Sequence, residues 1–249
     1  MTKLAGKTAV VAGGGKNLGG LVSRHLAGLG ANVVVHYNSP SSEAEAAQTA
    51  TAVEAAGGKA LLFQGDLTAP AKVTELFDAA VAEFGGVDVA VNTVGKVLRK
   101  PILETSEEEY DSMLDINAKA AYFFIKEAGR TLNDDGTLIT IVTALLGAFT
   151  DGYSTYAGGK SPVEHFNRAA AKEFGVRGIS VNAIAPGPMD TPFFYGQETP
   201  ERVEFHKSQG MGNRLTFIED IAPIVDFLST DGHWITGQTL FANGGYTTR

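Results

Sequence analysis

Seven short apolar runs recur along the chain, separated by stretches of helix length, and this alternation limits the possible folds more than any other feature. The runs are Thr8–Ala12, Asn32–Tyr37, Ala60–Gln64, Val87–Asn92, Leu138–Val142, Ile179–Ile184 and Gln238–Ala242. They are rich in Val, Ile and Leu with little polar alternation, the pattern of strands buried on both faces of a parallel sheet. Between the first two, Leu18, Leu21, Val22, Leu26 and Leu29 fall on one face of a helix over Leu18–Leu29. Ser42–Ala56, Ala71–Phe84, Ser106–Leu132, Thr155–Phe174 and Glu219–Ser229 read as further helices. The alternation predicts the α/β class: a single doubly wound, Rossmann-type domain over residues 1–249, with a parallel sheet of about seven strands flanked by helices on both faces.

Two stretches break the pattern. Residues 188–216 carry Phe193-Phe194-Tyr195 amid Pro, Gly and charge, and predict an irregular substrate lid. Pro162 falls inside Thr155–Phe174 and is expected to bend or loosen that helix, because it lacks a backbone donor.

Composition excludes several functions. With 44% hydrophobic and 19% charged residues the chain is not disordered. It has no cysteine, hence no disulfide or thiolate metal site. A net charge of −8 argues against a nucleic-acid partner. No apolar run approaches a membrane span, and the N-terminus has no signal-peptide core. His25, His36, His165, His206 and His233 lack metal-ligand spacing, and no serine sits in a Gly-x-Ser-x-Gly elbow. These features predict a soluble cytoplasmic domain without metal, acting on a small molecule.

Two local patterns carry chemistry. Strand Thr8–Ala12 runs into Gly13-Gly14-Gly15-Lys16-Asn17-Leu18-Gly19-Gly20 and then a helix. Glycines allow backbone amides to approach a pyrophosphate, and the helix N-terminus supplies unpaired N–H groups. Asn17 stands where an N-cap is expected. The second strand ends His36-Tyr37-Asn38-Ser39, with no carboxylate until Glu43. Neutral donors there suit a ribose 2′-phosphate, which a carboxylate would repel. The second pattern is Tyr156-x-x-x-Lys160, a phenol and an ammonium on one helical face. A carbonyl that receives hydride must also receive a proton. A nearby cation is expected to lower the pKa of Tyr156 and make it a better proton partner.

Gly13-x-x-x-Asn17-x-Gly19, Asn92-x-x-Gly95, Tyr156-x-x-x-Lys160 and Pro186-Gly187 resemble, in order and spacing, the motifs of the short-chain dehydrogenase/reductase family. Glu219-Asp220-Ile221-Ala222, Trp234-Ile235-Thr236-Gly237-Gln238 and Gly244-Gly245 resemble that family's C-terminal end. The resemblance covers almost the whole chain. It implies NADP(H) held by Gly13, Gly15, Lys16, Asn17, Leu18 and Gly19 at the turn, with Lys16 as ligand of the 2′-phosphate. It places His36, Asn38, Ser39, Asp66 and Leu67 at the adenosine end, and Asn92, Gly95, Pro186, Gly187, Met189 and Thr191 along the rest of the cofactor. The same resemblance implies catalysis by Asn117, Thr143, Tyr156 and Lys160. Thr143 lies thirteen residues before Tyr156, where the family normally has serine. The sequence also departs from the family at Asn17, usually glycine, and at Val94, in place of alanine. Phe149, Tyr153, Phe193 and Phe194 are expected to line a pocket for a sizeable apolar ketone. The implied activity is NADPH-dependent reduction of a 3-oxoacyl or bulky ketone to a secondary alcohol, by a homotetramer. An NAD-linked alcohol or sugar dehydrogenase and a non-catalytic dinucleotide-binding scaffold are the alternatives.

Overall fold

The computed structural model describes residues 2–248. Its strands are β1 (Thr8–Ala12), β2 (Asn32–Tyr37), β3 (Ala60–Gln64), β4 (Val87–Asn92), β5 (Leu132–Ile141), β6 (Ser180–Pro186) and β7 (Thr239–Ala242). All pair in parallel in the order β3-β2-β1-β4-β5-β6-β7. Parallel neighbours need crossover connections, and the helices supply them. These are α1 (Asn17–Gly28), α2 (Glu43–Ala55), α3 (Pro70–Phe84), α4 (Glu107–Leu114), α5 (Ala120–Thr131), α6 (Ser154–Phe174), α7 (Pro192–Tyr195), α8 (Pro200–Gln209) and α9 (Ile218–Leu228). No helix among the described residues is long and apolar enough to cross a membrane.

Two cores sandwich the sheet because alternate strand residues point to opposite faces. Val10, Ala12, Val34, Leu138 and Val181 meet Phe77, Phe124 and Val163 from α3, α5 and α6. Val11, Val33, Val35, Val91 and Ile139 meet Val22, Leu26, Val53 and Ile221 from α1, α2 and α9. The rings of Phe77 and Phe124 lie 5.1 Å apart, fully buried, and truncating either to Ala should cost about 3–5 kcal/mol.

The structure corrects four details of the sequence reading. The helix expected over Ser106–Leu132 is broken by a wide π-turn at Asp115–Lys119, where the Asn117 amide donates to Met113 O at 3.0 Å. β5 begins at Leu132, six residues before the expected start at Leu138, and its first part runs with shifted register opposite Val87 and Val89. α6 continues through Pro162 over its whole span, so the loosening expected there does not interrupt the helix. The segment 188–216 is partly helical: Pro192 and Pro200 each open a helix, and the Thr199 hydroxyl caps α8 by accepting from Arg202 N.

Candidate active site

The C-terminal ends of β1, β4, β5 and β6 converge on one crevice, on either side of the point where strand order reverses between β1 and β4. Open α/β sheets bind ligands at that place. Most site residues sit at a strand end or in the turn that follows one; Asn117 lies in the helical stretch after β4 and Lys160 in the second turn of α6.

The turn after β1 is packed so closely that side chains are barred from it. A Cβ on Gly19 would stand 2.1 Å from Gly13 O, and one on Gly13 would stand 2.6 Å from Thr93 Oγ1. Gly13 also has φ +75°, and Asn17 has φ +47°. Asn17 is therefore not the N-cap expected from sequence. Lys16 holds that position without a side-chain bond, while Asn17 supplies a left-handed conformation that asparagine tolerates. Ser23 Oγ donates to Gly14 O at 3.1 Å, and Thr49 Oγ1 donates to Gly15 O at 2.8 Å, tying the turn to α1 and α2. From beneath, His36 Nδ1 accepts from Gly13 N at 2.9 Å while Nε2 pairs with Gly65 O at 2.8 Å. With both ring nitrogens spent on backbone, His36 supports the turn and does not face the crevice. Burial lowers its pKa and favours the neutral ring.

At the adenosine end, Asn38 is exposed, and Ser39 Oγ lies 2.8 Å from Ser41 Oγ. Lys16 Nζ reaches Glu45 at 3.3 Å, a half-exposed pair that leaves the cation accessible. Asp66 accepts from Thr68 N at 3.0 Å and is exposed, whereas Leu67 is buried. The tight glycine cradle, the helix start at Leu18 and the accessible cation fit a phosphorylated dinucleotide.

Across the crevice, Asn92 Oδ1 accepts from Val94 N at 2.9 Å and shapes the turn after β4. Gly95 lets that turn pass: a Cβ there would stand 2.8 Å from Asn117 Oδ1 and 2.9 Å from Lys160 Nζ. Asn117 is fully buried and clamps Lys96, accepting from its N at 3.2 Å and donating to its O at 2.9 Å. Lys160 donates to Val94 O and Ile141 O, both at 3.0 Å. Buried Thr143, just past the end of β5, stands beside the Tyr156 phenol and accepts from Leu145 N at 3.3 Å. Asn117, Thr143, Tyr156 and Lys160 thus lie around one end of the crevice.

Their electrostatics differ from expectation. Burial pushes the Tyr156 phenol up to about 12, with only the neighbouring Thr143 hydroxyl acting against it. Burial likewise pushes the Lys160 ammonium down to about 8. The expected lowering of the phenol by Lys160 is absent: the ammonium is turned to Val94 O and Ile141 O, and burial governs both groups. At neutral pH the phenol keeps its proton and the ammonium its charge.

An open cleft of about 620 Å³ leads to Tyr156. Val97, Val142, Leu145, Met189, Phe193 and Phe194 give it an apolar wall. Pro186, Gly187 and Thr191 line its edge toward β6, and Tyr153 completes it. Phe193 and Tyr153 flank Tyr156, each with ring centroids 6.2 Å from it. Phe149 is 100% exposed and not part of the cleft, because the loop after β5 turns its ring outward. Sequence reasoning missed Gln197, His206 and Tyr246, which also line the cleft. The i, i+4, i+8 spacing of Glu198, Arg202 and His206 was the available signal for that side of the wall.

Comparisons with known proteins agree with this geometry. A family model described as Enoyl-(Acyl carrier protein) reductase matches residues 13–247. NADPH-dependent aldehyde reductase 2, chloroplastic, of Arabidopsis thaliana is 35% identical over 97% of this chain and 94% of its own length. A Burkholderia cenocepacia protein solved with bound NADP is 57% identical and superimposes with a TM-score of 0.97, covering 100% of this chain and 96% of that one. A blue fluorescent protein from a metagenomic library, solved in complex with NADPH, is 33% identical with a TM-score of 0.93, covering 99% of this chain and 100% of that one.

Proposed function

The chain belongs to the short-chain dehydrogenase/reductase family, and from that premise we propose that it reduces a neutral, largely apolar ketone to a secondary alcohol with NADPH. It is an NADP(H)-dependent oxidoreductase: the cradle at Gly13–Gly19 and the cation of Lys16 suit that cofactor, and related proteins are solved with it. The carbonyl substrate is the finer part of the reading.

The turn at Gly13–Gly19 and Lys16 would hold NADPH, which when bound would supply the hydride for the carbonyl carbon. Tyr156 gives the carbonyl oxygen its proton, so that hydride and proton together make the alcohol. Thr143 donates its hydroxyl proton to the same oxygen and, standing beside the phenol, keeps the carbonyl in register with Tyr156. Lys160 keeps a positive charge beneath the developing oxyanion, fixed by Val94 O and Ile141 O. Asn117 holds the turn that carries Val94 to Lys96 against Lys160. No Asp, Glu, Lys or Arg lines the cleft among the described residues, which favours an uncharged substrate. Residues 188–216 serve as the lid, with Phe193 and Phe194 facing inward.

The observation that carries this reading is that Tyr156 and Thr143 line the same apolar cleft, side by side. NADPH consumption across a panel of ketones and aldehydes tests it, with loss of turnover expected in Tyr156→Phe. The same reading includes a homotetramer, supported by exposed Tyr110 and Tyr122 on α4 and α5 and by Trp234 near β7. Light scattering at several concentrations tests that assembly.

A further inference from the structure

Behind the cleft wall lies a carboxylate that the reaction above does not use. Glu198 immediately precedes the cap of α8, and its side chain is fully buried. Carboxylates are seldom buried unless paired, so its partners show what it holds. Glu198 Oε1 accepts from the Tyr153 hydroxyl and lies 3.3 Å from His206 Nε2. Glu198 Oε2 accepts from Arg202 Nε at 3.1 Å and lies 3.7 Å from Arg99 Nε. The outer ends of both guanidinium groups meet Asp151, at 3.1 Å from Arg99 and 2.5 Å from Arg202. Two carboxylates thus balance two guanidinium groups. They draw together the segment after β4, the turn before α6 and the α7–α8 segment.

Glu198 itself does not line the cleft, whereas Tyr153 and His206 do. Burial and Glu198 together push the Tyr153 phenol far above its usual range, so its proton stays committed to the carboxylate. One of two neighbouring phenols is thereby fixed as wall, and the other, Tyr156, is left to the substrate. His206 is held on its other side by Tyr246, whose hydroxyl lies 3.1 Å from Nδ1.

We propose that Glu198 is a positioning and specificity-determining residue for ketone reduction, acting by fixing Tyr153 beside Tyr156 and holding the α7–α8 segment over the cleft. This rests on the reading of the cleft as a carbonyl site. Glu198→Gln keeps the shape and removes the charge; Tyr153→Phe removes one hydroxyl and leaves the arginine pairs intact. Each should raise KM for a bulky ketone about tenfold, the scale of one lost anchor, while the NADPH dissociation constant stays at its wild-type value. The double variant should fall short of additive, because both changes act on the Tyr153–Glu198 hydrogen bond. Wild-type KM in the single variants, additive effects, or a parallel loss of NADPH binding and thermal stability would overturn the proposal. Hydrogen exchange on the ligand-free protein gives a readout independent of the substrate. Glu198→Gln should speed exchange across residues 192–209 and leave the glycine turn unchanged, and equal exchange in both proteins would overturn the proposal. A wild type that reduces no carbonyl would refute the assigned reaction and leave the exchange result to stand alone.

Discussion

His36 Nδ1 accepts the backbone N–H of Gly13 at 2.9 Å, so the cofactor turn rests on a neutral imidazole. Burial holds the pKa of this ring below its ordinary 6.5 in the folded protein. Below pH 6.5 the unfolded chain therefore takes up a proton that the folded chain resists, and stability falls until the folded pKa is passed. Burial of His206 acts in the same direction. The melting temperature should drop between pH 7 and pH 5, and NADPH binding should weaken with it. His36→Gln should show a shallower drop than wild type; an equal drop would remove His36 as a cause.

Lys160 gives the opposite limb. Its ammonium, pushed down to about 8 by burial, loses charge as pH rises through that value. The support for the developing oxyanion weakens accordingly, and kcat/KM for reduction should decline above about pH 8 with the slope of one proton. A flat profile through pH 9.5 would show that the charge is not used.

Much of this was legible in the sequence because it is local. The glycine turn, the Tyr156–Lys160 pair and all seven strands follow from spacing and apolar runs, which short-range sterics and burial translate directly into structure. Details set by distant partners were not. Asn17 reads as an N-cap until the closeness of Gly19 to Gly13 forces it to positive φ. Asn117 reads as mid-helix, yet its amide competes for Met113 O and widens the turn. Glu198 meets Arg99 from 99 residues away, and no periodicity announces that pairing. The phenol of Tyr156 was expected low from its neighbour's charge, but its pKa is governed by burial, which only the packed fold determines.

Thr143 tests whether the hydroxyl or its position matters. Thr143→Ser keeps the hydroxyl beside Tyr156 and should retain turnover within about threefold of wild type, whereas Thr143→Val should lower kcat by about a hundredfold or more. Steady-state kinetics on both variants decide it, and equal activity of the valine variant would remove Thr143 from the reaction.

Cofactor choice should follow Lys16. Lys16→Ala should weaken NADPH binding by about tenfold and leave NADH binding unchanged, because only the former brings a 2′-phosphate. Glu45→Gln frees the same cation and should shift NADPH affinity the other way. Fluorescence titration of both nucleotides measures the pattern; a parallel change in both would place Lys16 elsewhere.

The central claim is that the Tyr156 phenol delivers the proton that accompanies hydride. Single-turnover oxidation of bound NADPH by a ketone that the wild type reduces tests it most directly, with Tyr156→Phe compared at matched cofactor occupancy. Loss of the proton donor should slow the step by about two to four orders of magnitude, with NADPH affinity unchanged. Oxidation at the wild-type rate in that variant would contradict the mechanism.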